Sequence, residues 1–137
     1  MDTRVSPKNL EYEEYKYSKT AEILEAGGVL VLSGAGISTG SGIPDYRGPG
    51  RKMRTRAPIQ HKDFLEREEA RRSYWARSSL GWPMVRDAEP NAGHRAVAEL
   101  EKMDMVTGLI TQNVDGLHQA AGSGDVLELH GSLYDVR

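Results

Sequence analysis

A chain of 137 residues with 38% hydrophobic and 28% charged side chains has the composition of one soluble globular domain. Its formal net charge of −2 gives no electrostatic ground for binding nucleic acid or an anionic membrane, and no apolar run approaches the roughly 20 residues that span a bilayer. The lack of cysteine excludes disulfides, a thiol nucleophile and any Cys-based zinc site. The first residues, Met1-Asp2-Thr3-Arg4, have neither the basic-then-apolar layout of a secretory signal nor the acid-free composition of a transit peptide, so the expected compartment is the cytoplasm.

Residues 1–17 read as a polar leader, with Tyr12, Tyr15 and Tyr17 set among charged neighbours. Ser18 is placed to cap a short helix, Lys19 to Ala26, which Gly27-Gly28 would end. Val29-Leu30-Val31-Leu32 is a continuous apolar run, as expected of a parallel strand buried on both faces. Six glycines and two prolines between Ser33 and Gly50 forbid a long helix and predict a structured loop. Residues 51–59 are basic and irregular.

A helix is predicted over about Lys62 to Leu80, burying Phe64, Leu65, Tyr74 and Trp75 and pairing Glu68 with Arg72, followed by a turn at Trp82-Pro83. Asn91 caps the next helix, His94 to Lys102, where Val97 and Leu100 share a face. Val106 to Thr111 and Val126 to His130 complete the strands. Strand, helices, strand, short helix, strand is the doubly wound α/β order.

A buried strand running into Gly34-Ala35-Gly36 suits a dinucleotide-binding turn. Gly34 would permit the turn and Gly36 close approach to a pyrophosphate, with the Ser38 hydroxyl and the following amides as phosphate donors. The spacing is not that of ordinary dehydrogenases, and no acidic ribose reader follows, so a purely structural glycine turn stands beside this reading. Further on, Arg47 can pair with phosphate, Asp45 can hold a hydroxyl or amide, and Tyr46 offers a ring face; a local Asp45–Arg47 salt bridge over a core Tyr46 is the alternative. The second strand turns polar at its end, Gln112-Asn113-Val114-Asp115, where ligands of open parallel sheets bind. Among four histidines, His61 reads as incidental, His94 as structural and His118 as orienting loops. His130, at a strand end before Gly131, is placed to act as a general base.

The motifs Gly34-Ala35-Gly36-Ile37-Ser38, Gly42-Ile43-Pro44-Asp45-Tyr46-Arg47 and Thr111-Gln112-Asn113-Val114-Asp115-Gly116-Leu117-His118 together resemble the sirtuins, NAD-dependent protein deacylases and ADP-ribosyltransferases. The resemblance implies a Rossmann-like parallel sheet, here its first half. It implies that Gly34, Ala35, Gly36, Ser38, Asp45, Tyr46 and Arg47 wrap the phosphates and nicotinamide ribose of NAD, Tyr46 shielding the reacting centre. Gln112, Asn113 and Val114 would serve the ribose region, and Asp115 would read the carboxamide. The acyl oxygen of a modified lysine attacks the ribose carbon bearing nicotinamide, nicotinamide leaves, and His130, with Asn113 beside it, activates the ribose hydroxyl of the resulting imidate. The products are free lysine, nicotinamide and O-acyl-ADP-ribose, and the partners are acylated-lysine proteins.

The stretches Ala57 to Phe64, Tyr74 to Arg77 and Gly81 to Pro83 resemble the class II branch, and that resemblance implies a preference for longer or more elaborate acyl groups over acetyl. The resemblance spans residues 18–137 and only the N-terminal part of such a catalytic domain. The family's four-cysteine zinc module, and hence any zinc ligand, together with the later Rossmann strands, lies outside this sequence. An NAD-binding fragment without turnover and a protein ADP-ribosyltransferase are the alternative readings. A half sheet with unpaired apolar edges is expected to be poorly stable or prone to aggregate.

Overall fold

The computed structural model of the chain describes residues 7–45 and 59–135. Tyr46, Arg47 and the basic stretch 51–58 lie outside the described residues. Three parallel strands, β1 (Val29–Ser33), β2 (Val106–Thr111) and β3 (Val126–Glu128), form a sheet in the order β1-β2-β3. Leu32 pairs with Ile110 and Ser33 with Thr111, while Ile110 and Thr111 pair with Leu127 and Glu128. The strands therefore end together at one edge. The pairing continues past their formal ends, because the Gln112 amide donates to the Ser33 carbonyl and the Leu129 amide to the Thr111 carbonyl.

Helices connect the strands. α1 (Pro7–Glu25) precedes β1; a 3-10 turn (Ile37–Ser41) follows it; then come α2 (His61–Glu66), α3 (Glu68–Arg86) and α4 (Ala92–Lys102) before β2, and α5 (Leu117–Ala120) before β3. α4 packs against β2, α5 and the 3-10 turn. The buried apolar core is small, Ala98 of α4, Val106 and Leu109 of β2 and Leu117 of α5. None of the helices in the described residues is long and apolar enough to cross a membrane.

Three local expectations are corrected. Ser18 does not begin a helix: α1 runs through it from Pro7, and the Ser18 hydroxyl donates to the Tyr15 carbonyl inside that helix. The segment from 62 to 80 is interrupted at Arg67, whose extended backbone (φ −123°, ψ 118°) ends α2 and starts α3. The break is held by Arg71, whose guanidinium donates to the Phe64 and Leu65 carbonyls that α2 leaves open. Trp82-Pro83 is not a turn, because α3 continues to Arg86 with Pro83 inside it. A proline this near the C-terminus deletes only the i→i−4 bond to Ser79, and the carbonyl of Pro83 still accepts from Asp87.

Burial also differs from expectation. Leu65, Tyr74 and Trp75 are exposed rather than core. β1 is covered on one face only: Leu30 and Leu32 are each 62% exposed, while Leu127 of β3 and Leu129 just beyond it are 58% and 53% exposed. α4 packs on β2 from the opposite face, with α5 against α4; across the open face, Leu30 lies over Gly108 and Leu32 beside Ile110.

Candidate functional site

The common edge at which the strands end gathers a buried polar cluster. Ser33 at the end of β1 donates from Oγ to Thr111 Oγ1 at the end of β2 (2.8 Å), and Thr111 Oγ1 also accepts from the Asn113 amide (3.1 Å). The loop after β1 tightens into its 3-10 turn and buries Ser38 beneath it. Ser38 Oγ donates to Asp115 Oδ2 (2.7 Å) and accepts from Asn113 Nδ2 (3.0 Å); the same amide group reaches the Gly34 carbonyl (3.2 Å). Asp115 Oδ1 accepts from the Leu117 amide (3.1 Å) and so starts α5. The two glycine-rich motifs are thereby fastened to each other through side chains about 75 residues apart in sequence.

Asn91 adds a third element to the cluster. Its Nδ2 donates to the Ile37 carbonyl (2.7 Å) and to Ser41 Oγ (2.9 Å), while its Oδ1 caps α4 by accepting from the Gly93 amide (2.8 Å). The Asn91 amide donates to Nδ1 of His94, completing a capping box in which an imidazole takes the place of the usual carboxylate. His94 and His118 are fully buried with ring centroids 5.0 Å apart, edge to face. Burial pushes both imidazoles below the ordinary histidine value, and Asp115 opposes the shift at each.

The expected phosphate donors divide into two groups. Ser38 spends its single hydroxyl proton on Asp115, so in this arrangement it is a brace for Asp115 and not a phosphate donor. The amides of Ile37, Ser38 and Thr39 are likewise turned inward, closing the 3-10 turn on the carbonyls of Gly34, Ala35 and Gly36. The amides of Ala35 and Gly36 have no acceptor among the described residues. Gly36 is the informative glycine. Its φ of −61° suits any residue, and a Cβ there would meet nothing within 4 Å, so neither backbone nor packing demands glycine. Gly34 is not in the left-handed region either, and its added Cβ would meet only the Gln112 side chain, at 3.9 Å.

Asn113 and Asp115 are buried, Val114 half-buried and Gln112 exposed. Asp45 is half-buried. His130 is exposed in the turn beyond β3, followed by Gly131 with φ 74°. The bond from Leu129 to Thr111 sets His130 one residue past the end of the ladder, alongside the strand end that carries Asn113. No three His, Asp or Glu side chains among the described residues stand close enough to share a metal ion.

Two features had no sequence expectation. The chain after Gly131 folds back: the Leu133 amide donates to the Val114 carbonyl (3.1 Å), and the Tyr134 ring lies edge-on to Trp82 with centroids 5.4 Å apart. Tyr134 also covers Gly116, whose φ of 68° starts α5 and where a Cβ would stand 3.2 Å from the ring. Beside this fold-back opens a cleft of about 1060 Å³ with Phe64, Tyr74, Trp75, Trp82 and Leu133 in its walls. It explains why Tyr74 and Trp75, expected in the core, are exposed. Its sequence signal was the aromatic spacing itself, which a core and a cleft share.

Known proteins match this arrangement. The Sir2 family profile matches residues 34–137. The chain is 64% identical over 113 residues to NAD-dependent protein deacetylase 1 of Streptomyces coelicolor, covering 82% of this chain and 38% of the relative. It is 48% identical over all its 137 residues to NAD-dependent protein deacylase SIR4 of Monosiga brevicollis, covering 44% of that protein. A solved structure of Sir2 with a p53 peptide and NAD+ superposes with a TM-score of 0.70 at 38% identity, over 84% of this chain and 45% of that one. Sir2 bound to acetylated peptide gives a TM-score of 0.69 at 33% identity, over 85% and 45%. The chain thus spans less than half the length of these proteins. With the glycine loop, the polar strand end and the histidine turn all inside the matched region, the chain belongs to the Sir2 family.

Proposed function

We propose that residues 18–137 form the N-terminal, nucleotide-binding part of an NAD-dependent protein-lysine deacylase, with residues 1–17 as a leader outside it. The observation that carries this reading is the pairing of Gly36 with the braced acid behind it. A position that needs no glycine for its own sake, with unpaired amides at Ala35 and Gly36, leaves room for an anionic ligand to approach the backbone. NAD, on which the names of the relatives say those proteins depend, would fill that room. It would supply an electrophilic ribose carbon with nicotinamide as leaving group.

The remaining chemistry falls to this chain's own side chains. Asp115, oriented by Ser38 and the Leu117 amide, keeps a lone pair on each oxygen for an amide donor. Asn113 is fixed through its nitrogen, which leaves its carbonyl oxygen to orient a hydroxyl or water. Gln112 and Val114 flank it on the ribose side. His130 takes a proton from a ribose hydroxyl, and its exposure leaves the ring accessible to one. Asp45 and Arg47 would serve the phosphates and nicotinamide ribose, and Tyr46 would shield the reacting centre. The aromatic cleft between α3 and Leu133 suits the acyl chain of a modified lysine on a protein substrate.

A second reading, nucleotide binding without turnover, is favoured by the open sheet face formed by Leu30, Leu32, Leu127 and Leu129. Titration of the chain with ADP-ribose, followed by nicotinamide release from NAD with an acylated-lysine peptide, tests both. Binding together with release that His130→Ala abolishes supports the deacylase. Binding without release supports the second reading, and ADP-ribose appearing on protein in place of O-acyl-ADP-ribose would make it an ADP-ribosyltransferase. No affinity for ADP-ribose removes all three.

A further inference from the structure

We propose that His94 and His118 are positioning residues for this site, a pair of neutral imidazoles each protonated at Nε2, which fixes donor and acceptor roles from the start of α4 to the Thr111 hydroxyl that receives the Asn113 amide. The proposal rests on reading that site as a nucleotide pocket. The Asn91 amide can only donate, and it points at His94 Nδ1 at 3.3 Å. Nδ1 therefore carries no proton, and the neutral ring carries it on Nε2. That nitrogen is buried without a partner.

At the other ring, His118 Nε2 lies 2.8 Å from Ser33 Oγ, which also bonds Thr111 Oγ1 at 2.8 Å. The serine has one proton to give. If it goes to Thr111, His118 must donate from Nε2, and its Nδ1 becomes a bare acceptor. If it goes to His118, Nδ1 carries the proton instead. His118 Nδ1 is the second buried ring nitrogen without a partner. Only the first arrangement makes the two unpartnered atoms complementary, a donor on His94 and an acceptor on His118. The alternative buries two donors in neighbouring rings, each at the cost of an unmade hydrogen bond.

The resulting order is Asn91 amide to His94 Nδ1, then across the edge-to-face rings, where the His94 donor and the His118 acceptor are neighbours without a direct bond, then His118 to Ser33 and Ser33 to Thr111, whose Oγ1 also accepts from the Asn113 amide. An extra proton on either ring sets a donor against a donor. The charged groups facing the pair are Asp115 from the loop before α5, and Arg95 and Glu101 from α4; β1 and β2 contribute only the hydroxyls of Ser33 and Thr111. Asp115 and Glu101 favour the extra proton, while burial, Arg95 and the neighbouring ring oppose it.

The first test is spectroscopic and needs no activity. Long-range 1H–15N spectra of the histidine-labelled chain at pH 7.5 are expected to show both rings neutral and protonated at Nε2. A proton on His118 Nδ1, or a charged ring, overturns the proposal. The second compares His118→Gln, whose amide nitrogen can reach the Nε2 position and donate to Ser33, with His118→Asn, which cannot. ADP-ribose affinity is expected to stay within about threefold of the native value in the Gln variant and to fall about tenfold or more in the Asn variant. Equal losses would mean a packing role and overturn it. Should His118→Asn fail to fold, the native spectrum still decides. If the native chain shows the expected tautomers and no affinity for ADP-ribose, the nucleotide reading fails and the tautomer lock stands.

Discussion

Asp115 has both carboxylate oxygens committed, Oδ1 to the Leu117 amide and Oδ2 to the Ser38 hydroxyl, at 7% exposure. Asp115→Asn would turn one acceptor into a donor facing a donor in a buried place. We expect a loss of about 1–3 kcal/mol in urea unfolding; a midpoint equal to the native one would mean that neither bond matters. The buried histidines set a pH dependence of definite sign. Their folded pKa values lie below the ordinary value of about 6.5, so the unfolded chain binds more protons. Stability is therefore complete above about pH 6.5 and falls as pH drops from there toward the depressed folded values, by at most about 1.4 kcal/mol per pH unit for each ring. A urea midpoint lower at pH 5.5 than at 7.5, with a smaller drop in His118→Gln, is expected; a midpoint that is flat or rises on acidification refutes this. At this scale the motifs named Ser38, Asn113 and Asp115 correctly as one neighbourhood. They did not show that Ser38 serves Asp115, because a hydroxyl's partner depends on a strand end 77 residues away.

Among the elements, α4 carries more than its own length suggests, because Asn91 ties its N-terminus to the 3-10 turn of the glycine loop. Asn91→Ala removes the cap and both tethers. The cap alone is worth about 0.5–2 kcal/mol, so destabilisation at or above the upper end is expected, with faster amide exchange at Gly93. Exchange at Gly93 unchanged from the native chain would rule the cap out. β1, β2 and α4 were legible because their signals are local: apolar runs ended by polar residues, and an asparagine before a helix. The break at Arg67 and the passage of α3 through Pro83 were not. The break is held by Arg71 on the α2 carbonyls, and at the far end of α3 Trp82, beside the proline, packs on Tyr134; neither contact is written in an apolar pattern. The second of these contacts also joins the far end of α3 to the loop that holds Asp115.

At the scale of the whole molecule, the sheet has one finished face and one bare one. Parallel sheets are normally covered on both sides, yet Leu30, Leu32, Leu127 and Leu129 stand more than half exposed on one face of the sheet, flanking β2. The sequence pattern could not show this, because a strand apolar on both faces reads the same whether or not a second layer is present. Contiguous apolar surface of this kind drives association in water. The purified chain is therefore expected to bind a hydrophobic dye such as ANS and to sediment as species that grow with concentration. Leu32→Lys and Leu127→Lys should lower both signals. Because these side chains already face solvent, the substitutions should change unfolding free energy by only about 0.5 kcal/mol. Their rows lie on the side of the sheet away from α4 and α5, so the Ser38–Asp115–Asn113 cluster should keep its native ADP-ribose affinity. A chain that stays monomeric at all concentrations and melts cooperatively at high temperature would show that the bare face is no liability. Loss of nucleotide affinity in either lysine variant would instead show that the open face and the site are one mechanical unit.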